Sequence, residues 1–404
     1  MKKLLILGGS SYLVPIINTA KNMGIYTITC DYIPDNIAHN YSDEYHNISI
    51  LDKEKVYDLA NRLKVDGVMS FATDPGVITA AYVCEKLNLP SPPLKSVEIL
   101  QNKDLFRKFL RENNFNVPYS ESFNSYEEVK ANSFKFKYPI IIKPVDSAGS
   151  KGVTKLIGPK GLKEAVLLAL DYSFSKRIII EDFIEKKGNS SDSDSFSINN
   201  ELVFSSYSSQ LFDKEAPNSF VPSAYIWPSN MEEENKKNLN GEISRLIKLL
   251  NMGTSIYNIE TRVGNDGLEY IMELSPRGGG NRISEILKLS TNQDLISNNI
   301  KFALGMKLDE IQKPKYNGFW ALYIIHSNTD GIFNDIHIEE NFYNKHLKDL
   351  NLIVKKGQFI NKFRGANDAL GNIILKFDTY EDANYHIQNH EDWLKIDIQR
   401  RNNA

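Results

Sequence analysis

Ile141-Ile142-Lys143-Pro144-Val145-Asp146-Ser147-Ala148-Gly149-Ser150-Lys151-Gly152-Val153 is an apolar run ending in a lysine, followed by a loop of small, polar and basic residues. The apolar run reads as a strand that fixes the origin of the Lys143 side chain. The glycines after it let backbone amides approach an anion closely. Lys143, Ser147, Gly149, Ser150, Lys151 and Gly152 are therefore candidates to hold a polyphosphate. An ordinary strand–turn–strand with a surface lysine is the alternative reading of the same stretch.

A second stretch answers it 130 residues downstream of Lys143. Glu260 is followed thirteen residues later by Glu273, which opens Glu273-Leu274-Ser275-Pro276-Arg277-Gly278-Gly279-Gly280-Asn281. Between the two glutamates, Gly264-Asn265-Asp266-Gly267 is a hairpin signal, so the flanking strands are expected to pair side by side. That sets two carboxylates together on one sheet face, which is unfavourable unless a cation lies between them. Magnesium takes one or two carboxylates with phosphate oxygens and water, and fits this ligand set. Solvated strand glutamates are the plainer alternative. Arg277, among glycines, offers a planar fork to a carboxylate or phosphate, against the alternative of a mobile surface arginine. Gly279, Asn281 and Arg282 extend the same polar edge. Cations for a polyphosphate and acids for a metal together point to ATP chemistry.

The rest of the chain frames these segments. Its 404 residues call for two or three domains. A net charge of −3 with scattered basic residues gives no footprint for nucleic acid. The apolar run after Met1-Lys2-Lys3 is too short for a secretory signal, and no segment has the length of a membrane helix. A cytoplasmic protein with no membrane or nucleic-acid partner is expected. Cys30 and Cys84 make no disulfide framework and read as small buried residues. The seven histidines show no clustering along the sequence, and no zinc site is expected.

Short apolar strands alternating with helices over residues 1–92 read as a Rossmann-like parallel sheet. Pro90, Pro92 and Pro93 mark a boundary. Strand-like runs at 139–143, 153–157, 177–181, 201–207, 255–260 and 268–274 then make the fold α/β and α+β. The polar stretch Lys186–Ser195 reads as too rich in Ser, Asp, Asn and Gly to be core. Strand-forming runs at 319–325, 352–355 and 371–377 and a last helix make a smaller α+β domain over 306–404. Phe319, Trp320 and Tyr323 read as its sheet core. Gly8-Gly9-Ser10 with Asp31 keeps a nicotinamide reading open only weakly, because it is not a G-x-G-x-x-G. Asp74, in Thr73-Asp74-Pro75-Gly76, is either a substrate contact or a helix cap.

In ordered motifs the chain resembles the ATP-grasp superfamily, specifically its carboxylate–amine ligases, with amino-acid ligases and carbamoyl-phosphate synthase large-subunit-like proteins among them. The resemblance spans about residues 1–305. It implies a Rossmann-like pre-ATP-grasp domain at 1–92 and an ATP-grasp two-sheet nucleotide clamp at 93–305, with a lid over about 118–185. Lys103, in Asn102-Lys103, and Lys143 resemble the two phosphate lysines, and Ala148-Gly149-Ser150-Lys151-Gly152 the loop over the phosphates. Glu181-Asp182-Phe183-Ile184 resembles the hinge, whose backbone and first glutamate meet the adenine edge. Glu260 and Glu273 match the magnesium carboxylates. Ser275 stands where the family commonly has Asn, and a hydroxyl still ligates magnesium or holds its water. Gly188 stands near the usual ribose glutamate, which passes that role to Asp192 or Asp194. Arg277 resembles the arginine that contacts substrate or the acyl phosphate.

The resemblance therefore implies ATP and magnesium, or manganese in its place. Small-molecule carboxylate and amine substrates would be joined through an acyl phosphate, and homodimers are usual among similar enzymes. Arg277 and Lys143 carry the catalytic roles, while Asp74, Gly279 and Asn281 join Arg277 at the substrate. A bicarbonate- or formate-using enzyme of carbamoyl-phosphate synthase or purine-pathway type is the alternative, as is an ATP-binding module without turnover.

Overall fold

The computed structural model describes residues 1–147 and 149–399. Ala148 of the expected phosphate loop lies outside the described residues. Among the described residues, no helix is long and apolar enough to cross a membrane.

Four parallel strands form the amino-terminal sheet, in the order Glu44–Asn47, Tyr26–Asp31, Lys3–Leu7, Gly67–Ser70. Leu4, Leu5, Ile6 and Leu7 have no exposed surface, as expected of a central parallel strand covered on both faces. The nicotinamide reading finds no support. Asp31 already accepts from the Tyr32 amide and from Asn36 Nδ2, and a Cβ on Gly9 would stand 2.6 Å from that of Asn36.

A second sheet is antiparallel and lies within residues 120–182: Ser120–Phe123, Ile178–Asp182, Ile140–Pro144, Thr154–Leu156. It packs Ile140, Ile142, Ile178 and Ile180 against Val129 and Val166 of two helices, Tyr126–Asn132 and Leu162–Tyr172.

The central sheet runs Glu201–Ser205, Ser191–Ile198, Ser255–Val263, Glu269–Ser275, all antiparallel. Alternation along the strands sends Tyr257 and Ile259 to one face. There they meet Phe106 and Leu110 of the Lys103–Glu112 helix and Leu239, Ile243 and Leu246 of the Glu233–Leu249 helix. Asn258 and Glu260 take the other face.

One sequence expectation fails here. The Lys186–Ser195 stretch, expected to be too polar for core, enters the buried central strand Ser191–Ile198 with its second half. Ser191, Ser193, Asp194, Ser195 and Ser197 are all at most 1% exposed. Burying hydroxyls is tolerable when each finds a partner. Ser193 accepts from Trp227 Nε1 at 2.8 Å and pairs with the Ser206 hydroxyl. Ser197 donates to the Gly253 carbonyl and meets the Tyr257 hydroxyl at 2.7 Å.

The carboxyl-terminal sheet also departs from the expected boundary at 306. Its order is Ser209–Phe212, Pro222–Trp227, Phe319–Ile325, Gly371–Phe377, Leu347–Leu352, so two of its five strands come from the middle of the chain. The fifth strand lies at Leu347–Leu352, short of the 352–355 run expected from composition. Trp320 and Tyr323 are buried in this sheet. A three-stranded sheet of Phe359–Ile360, Gly331–Ile338 and Leu394–Gln399 stands alongside. Cys30 and Cys84 are free and buried, and burial pushes both thiols up to about 12.

Candidate active site

Glu260 and Glu273 sit directly opposite one another in the central sheet. The register depends on a bulge. Glu260 faces Glu273 but Thr261 faces Ile271, which leaves Met272 as an extra residue and turns Glu273 to the Glu260 face. Glu260 also faces Asp192 on its other side. Three acids, Asp192, Glu260 and Glu273, therefore form a row across three adjacent strands. Residues opposed in this way have Cβ atoms about 5 Å apart. Two residues further along, Asp194, Asn258 and Ser275 make a parallel second row.

The crowding of negative charge is visible in Asp192, whose carboxyl is pushed up to about 7 by burial and then by the Glu260 charge. The glutamate side chains are each about one-third exposed, at 34% and 37%. Hard carboxylate oxygens on an accessible face suit magnesium better than a soft transition metal, so the donor set fits that ion.

Cations surround the row. Lys103 opens the Lys103–Glu112 helix behind its Asn102 cap. Its Nζ lies 3.7 Å from Glu273 Oε1 and donates to the Ser147 carbonyl at 2.9 Å. One side chain thus ties the first residue of the Ser147–Gly152 loop to the acid row, and the two separated sequence segments meet. Within that loop Gly149, Ser150 and Gly152 have positive φ. Gly152 fits because a Cβ would stand 3.0 Å from Tyr172 and 3.1 Å from Pro144. Ser150 Oγ donates to the Phe220 carbonyl at 3.0 Å, and Lys151 is exposed.

Lys143 and Glu181 depart from the expected division of labour. Glu181 is 1% exposed. One oxygen accepts from Arg107 Nε and the other from Lys143 Nζ, each at 2.7 Å. Burial works against the Glu181 charge, yet the Arg107 and Lys143 cations outweigh it and hold the carboxyl at about 2. Its side chain therefore anchors Lys143 rather than presenting itself to a base edge. Further along the hinge, the Asp182 and Phe183 amides donate to the carbonyls of Tyr119 and Pro139. The Ile184 carbonyl accepts from Arg262. Burial raises the Asp182 carboxyl. The Phe183 ring carries the Lys155 ammonium at 3.7 Å.

Asp74 and Arg277 find each other. Arg277 Nε and Nη2 donate to the two Asp74 oxygens at 2.9 and 2.7 Å, while Nη1 donates to Asn258 Oδ1 and the Gly278 carbonyl. Asp74 occupies the cap position of the Pro75–Leu87 helix without making a side-chain cap bond. Burial opposes its charge and the guanidinium more than offsets that, lowering its carboxyl.

Ser275 and Asp194 must be reassigned on geometry. Ser275 is 1% exposed, donates to Asp74 Oδ1 at 2.6 Å and accepts from Gln101 at 2.9 Å, so its hydroxyl belongs to the Asp74 network rather than to a metal. Asp194 has no exposed surface. It accepts from the Gly279 amide at 2.8 Å, from Asn258 at 3.3 Å and from the Ser284 hydroxyl, which leaves no approach for a ribose. Gly279 is confined, since a Cβ would lie 2.8 Å from Asn258 Nδ2 and 2.9 Å from Asp194 Oδ1. Asn281, at φ 52°, accepts from the Tyr12 hydroxyl at 2.9 Å. Arg282 pairs with Glu285 and with Asp349.

Sequence reading missed Arg107 and Arg262. Arg107 is 2% exposed within an amphipathic helix whose pattern flags only its apolar face. Arg262 lies two residues beyond Glu260, with Nη2 3.8 Å from Glu260 Oε1, a spacing that alternation along a strand makes readable.

Residues 136–285 match the family model of the ATP-grasp domain. The acid row, the Lys143 strand and the hinge all lie within the matched residues. The whole chain has the fold of a solved L-amino acid ligase from Bacillus licheniformis, with a TM-score of 0.83 at 23% identity over 99% of both chains. Among curated relatives, it is 23% identical over 306 residues to the carbamoyl phosphate synthase large chain of Thermoanaerobacter sp. (strain X514), covering 74% of this chain and 27% of that one. It is 26% identical over 190 residues to the formate-dependent phosphoribosylglycinamide formyltransferase of Synechococcus sp. (strain WH7803), covering 45% of this chain and 48% of that one. The chain thus spans half or less of the length of these curated relatives.

Proposed function

We propose that the chain is an ATP-dependent carboxylate–amine ligase that forms an amide bond through an acyl phosphate and releases ADP and phosphate. One observation carries this reading: Lys103 joins the Ser147–Gly152 loop to Glu273, opposite Glu260. A phosphate-binding loop and a pair of metal carboxylates then serve one triphosphate.

In this reading Lys103, Lys143 and the loop amides hold the phosphates, and the Phe183–Ile184 segment lies against the base. Glu260 and Glu273 would hold magnesium, which would supply charge neutralisation for the phosphates. Glu181 keeps Lys143 in place and charged. Arg277, whose charge Asp74 balances and whose donors Asp74, Asn258 and the Gly278 carbonyl occupy, acts in this reading by fixing the end of the central sheet beside the acid row. The carboxylate oxygen attacks the γ-phosphorus, the bond to the β-phosphate oxygen breaks, and ADP leaves. The amine then attacks the acyl carbon and expels phosphate. Positioning and charge neutralisation suffice for phosphoryl transfer, so no protein nucleophile is required.

The fold likeness to an L-amino acid ligase favours an amino acid or comparable small carboxylate. The likeness to the two curated relatives favours instead a bicarbonate- or formate-using enzyme. ADP release measured over carboxylates crossed with amines, with and without magnesium, separates the readings. Release that requires both an amino acid and an amine supports the first, release with bicarbonate or formate the second. Nucleotide binding with no substrate-dependent release would reject both.

A further inference from the structure

We propose that His346, Asp382 and His386 form a binding site for a zinc-class divalent cation in the carboxyl-terminal region, apart from the acid row. The sequence scatters these residues, and the fold gathers them. Asp382 and His386 lie one turn apart on the Tyr380–Gln388 helix. His346 ends the Glu340–His346 helix beside the Gly371–Phe377 strand. One ligand atom from each of the three lies within 4.8 Å of the others.

Three features make this more than a chance meeting. First, His346 Nδ1 is 3.0 Å from the Lys376 carbonyl. A carbonyl only accepts, so Nδ1 carries the hydrogen and Nε2 keeps a bare lone pair; this is the backbone hydrogen bond that commonly orients a metal-binding imidazole. Second, His386 Nε2 and Asp382 Oδ1 are 3.4 Å apart. Ligands at about 2.0–2.1 Å from a tetrahedral zinc are separated by about 3.3 Å. Third, aromatic rings wall the imidazoles. Phe377 stacks on His346 at 4.4 Å, and Phe342 meets His386 edge-on at 5.1 Å. Such walls hold ring orientation and lower the local dielectric, which strengthens a charged bond.

His346 is 4% exposed, whereas the His386 and Asp382 side chains are 25% and 35% exposed. The site thus has a buried ligand on the sheet side and an open side for entry and for a fourth ligand from water. Two imidazoles and one carboxylate favour zinc over magnesium or calcium, which prefer oxygen throughout. Bound there, the ion would pin the last helix to the carboxyl-terminal sheet.

The test uses the full chain, stripped with chelator and dialysed against zinc chloride alone. The wild type should retain about one zinc per chain and melt at a higher temperature with zinc than without. His386→Ala and Asp382→Ala alter partly exposed side chains, so each should melt like the metal-free wild type while binding zinc at least about tenfold more weakly. Cobalt(II) should give a visible tetrahedral absorption band in the wild type that both variants lack. Failure of the wild type to retain zinc, or zinc and cobalt signatures that persist in both variants, would overturn the proposal. Persistence would place the ion elsewhere, the Glu260–Glu273 pair included.

Discussion

Asp74 and Arg277, 203 residues apart, meet in a two-pronged ion pair that joins the helix after the amino-terminal sheet to the end of the central sheet. Their side chains are only 16% and 10% exposed. Removing one member leaves the other charged and poorly solvated, and such a loss typically costs about 3–5 kcal/mol. Asp74→Ala should therefore lower the urea midpoint substantially. The double variant Asp74→Leu with Arg277→Met should recover much of the loss. A single variant as stable as the wild type would mean that water reaches the guanidinium.

Glu181 should govern part of the acid sensitivity. Its folded pKa of about 2 lies below the ordinary 4.5, so the stabilisation is fully present above about pH 4.5 and is lost as pH falls towards 2. The shift corresponds to about 3 kcal/mol. The stability difference between the wild type and Glu181→Gln should narrow by that order between pH 5 and pH 2, followed by urea denaturation at each pH. A difference that stays constant across the window would contradict the assignment.

The acid row and its lysine bear on turnover. Under the proposed chemistry, Glu273→Gln and Lys103→Ala should each slow substrate-dependent ADP release by about 10²–10³-fold, the usual scale for losing one preorganised charge at a phosphoryl-transfer site. Chelating magnesium should abolish release in the wild type. Turnover that survives in Glu273→Gln would remove the metal assignment.

Ser193 tests the serine-rich strand. Its hydroxyl accepts the Trp227 indole hydrogen, and both residues are buried. Ser193→Ala strands that donor, which should cost about 1–3 kcal/mol in thermal or urea unfolding. A neutral effect would mean that Trp227 finds another acceptor.

Much of the scaffold was legible in the sequence because it is local. Asp266-Gly267 announced the hairpin, with Gly267 at φ 80°, but setting Glu260 opposite Glu273 also takes the bulge at Met272, which no local signal marks. The strands at Phe319–Ile325 and Gly371–Phe377 fall where their patterns place them. What stayed hidden depends on distant partners. Nothing near Asp192 announces that it faces Glu260 68 residues away. Lys186–Ser195 read as too polar to be core because hydropathy cannot register hydroxyls whose partners arrive from a distance, as Ser206 and Trp227 do for Ser193. Asp74 and Ser275 each had a plausible local or metal role until Arg277 and Gln101 supplied the actual partners.

The sharing of the carboxyl-terminal sheet has a practical consequence for dividing the chain. Pro222–Trp227 pairs with Phe319–Ile325, from Ala224 opposite Tyr323 to Trp227 opposite Trp320. A fragment truncated at residue 305 would keep Pro222–Trp227 but lose that neighbour, baring a row of amides and carbonyls beside Ala224 and Ile226, both fully buried in the intact protein. Raw strand edges of that kind recruit other chains and aggregate. The portion before residue 306 is therefore not a detachable cassette, and a minimal fragment would have to retain the Phe319–Ile325 strand.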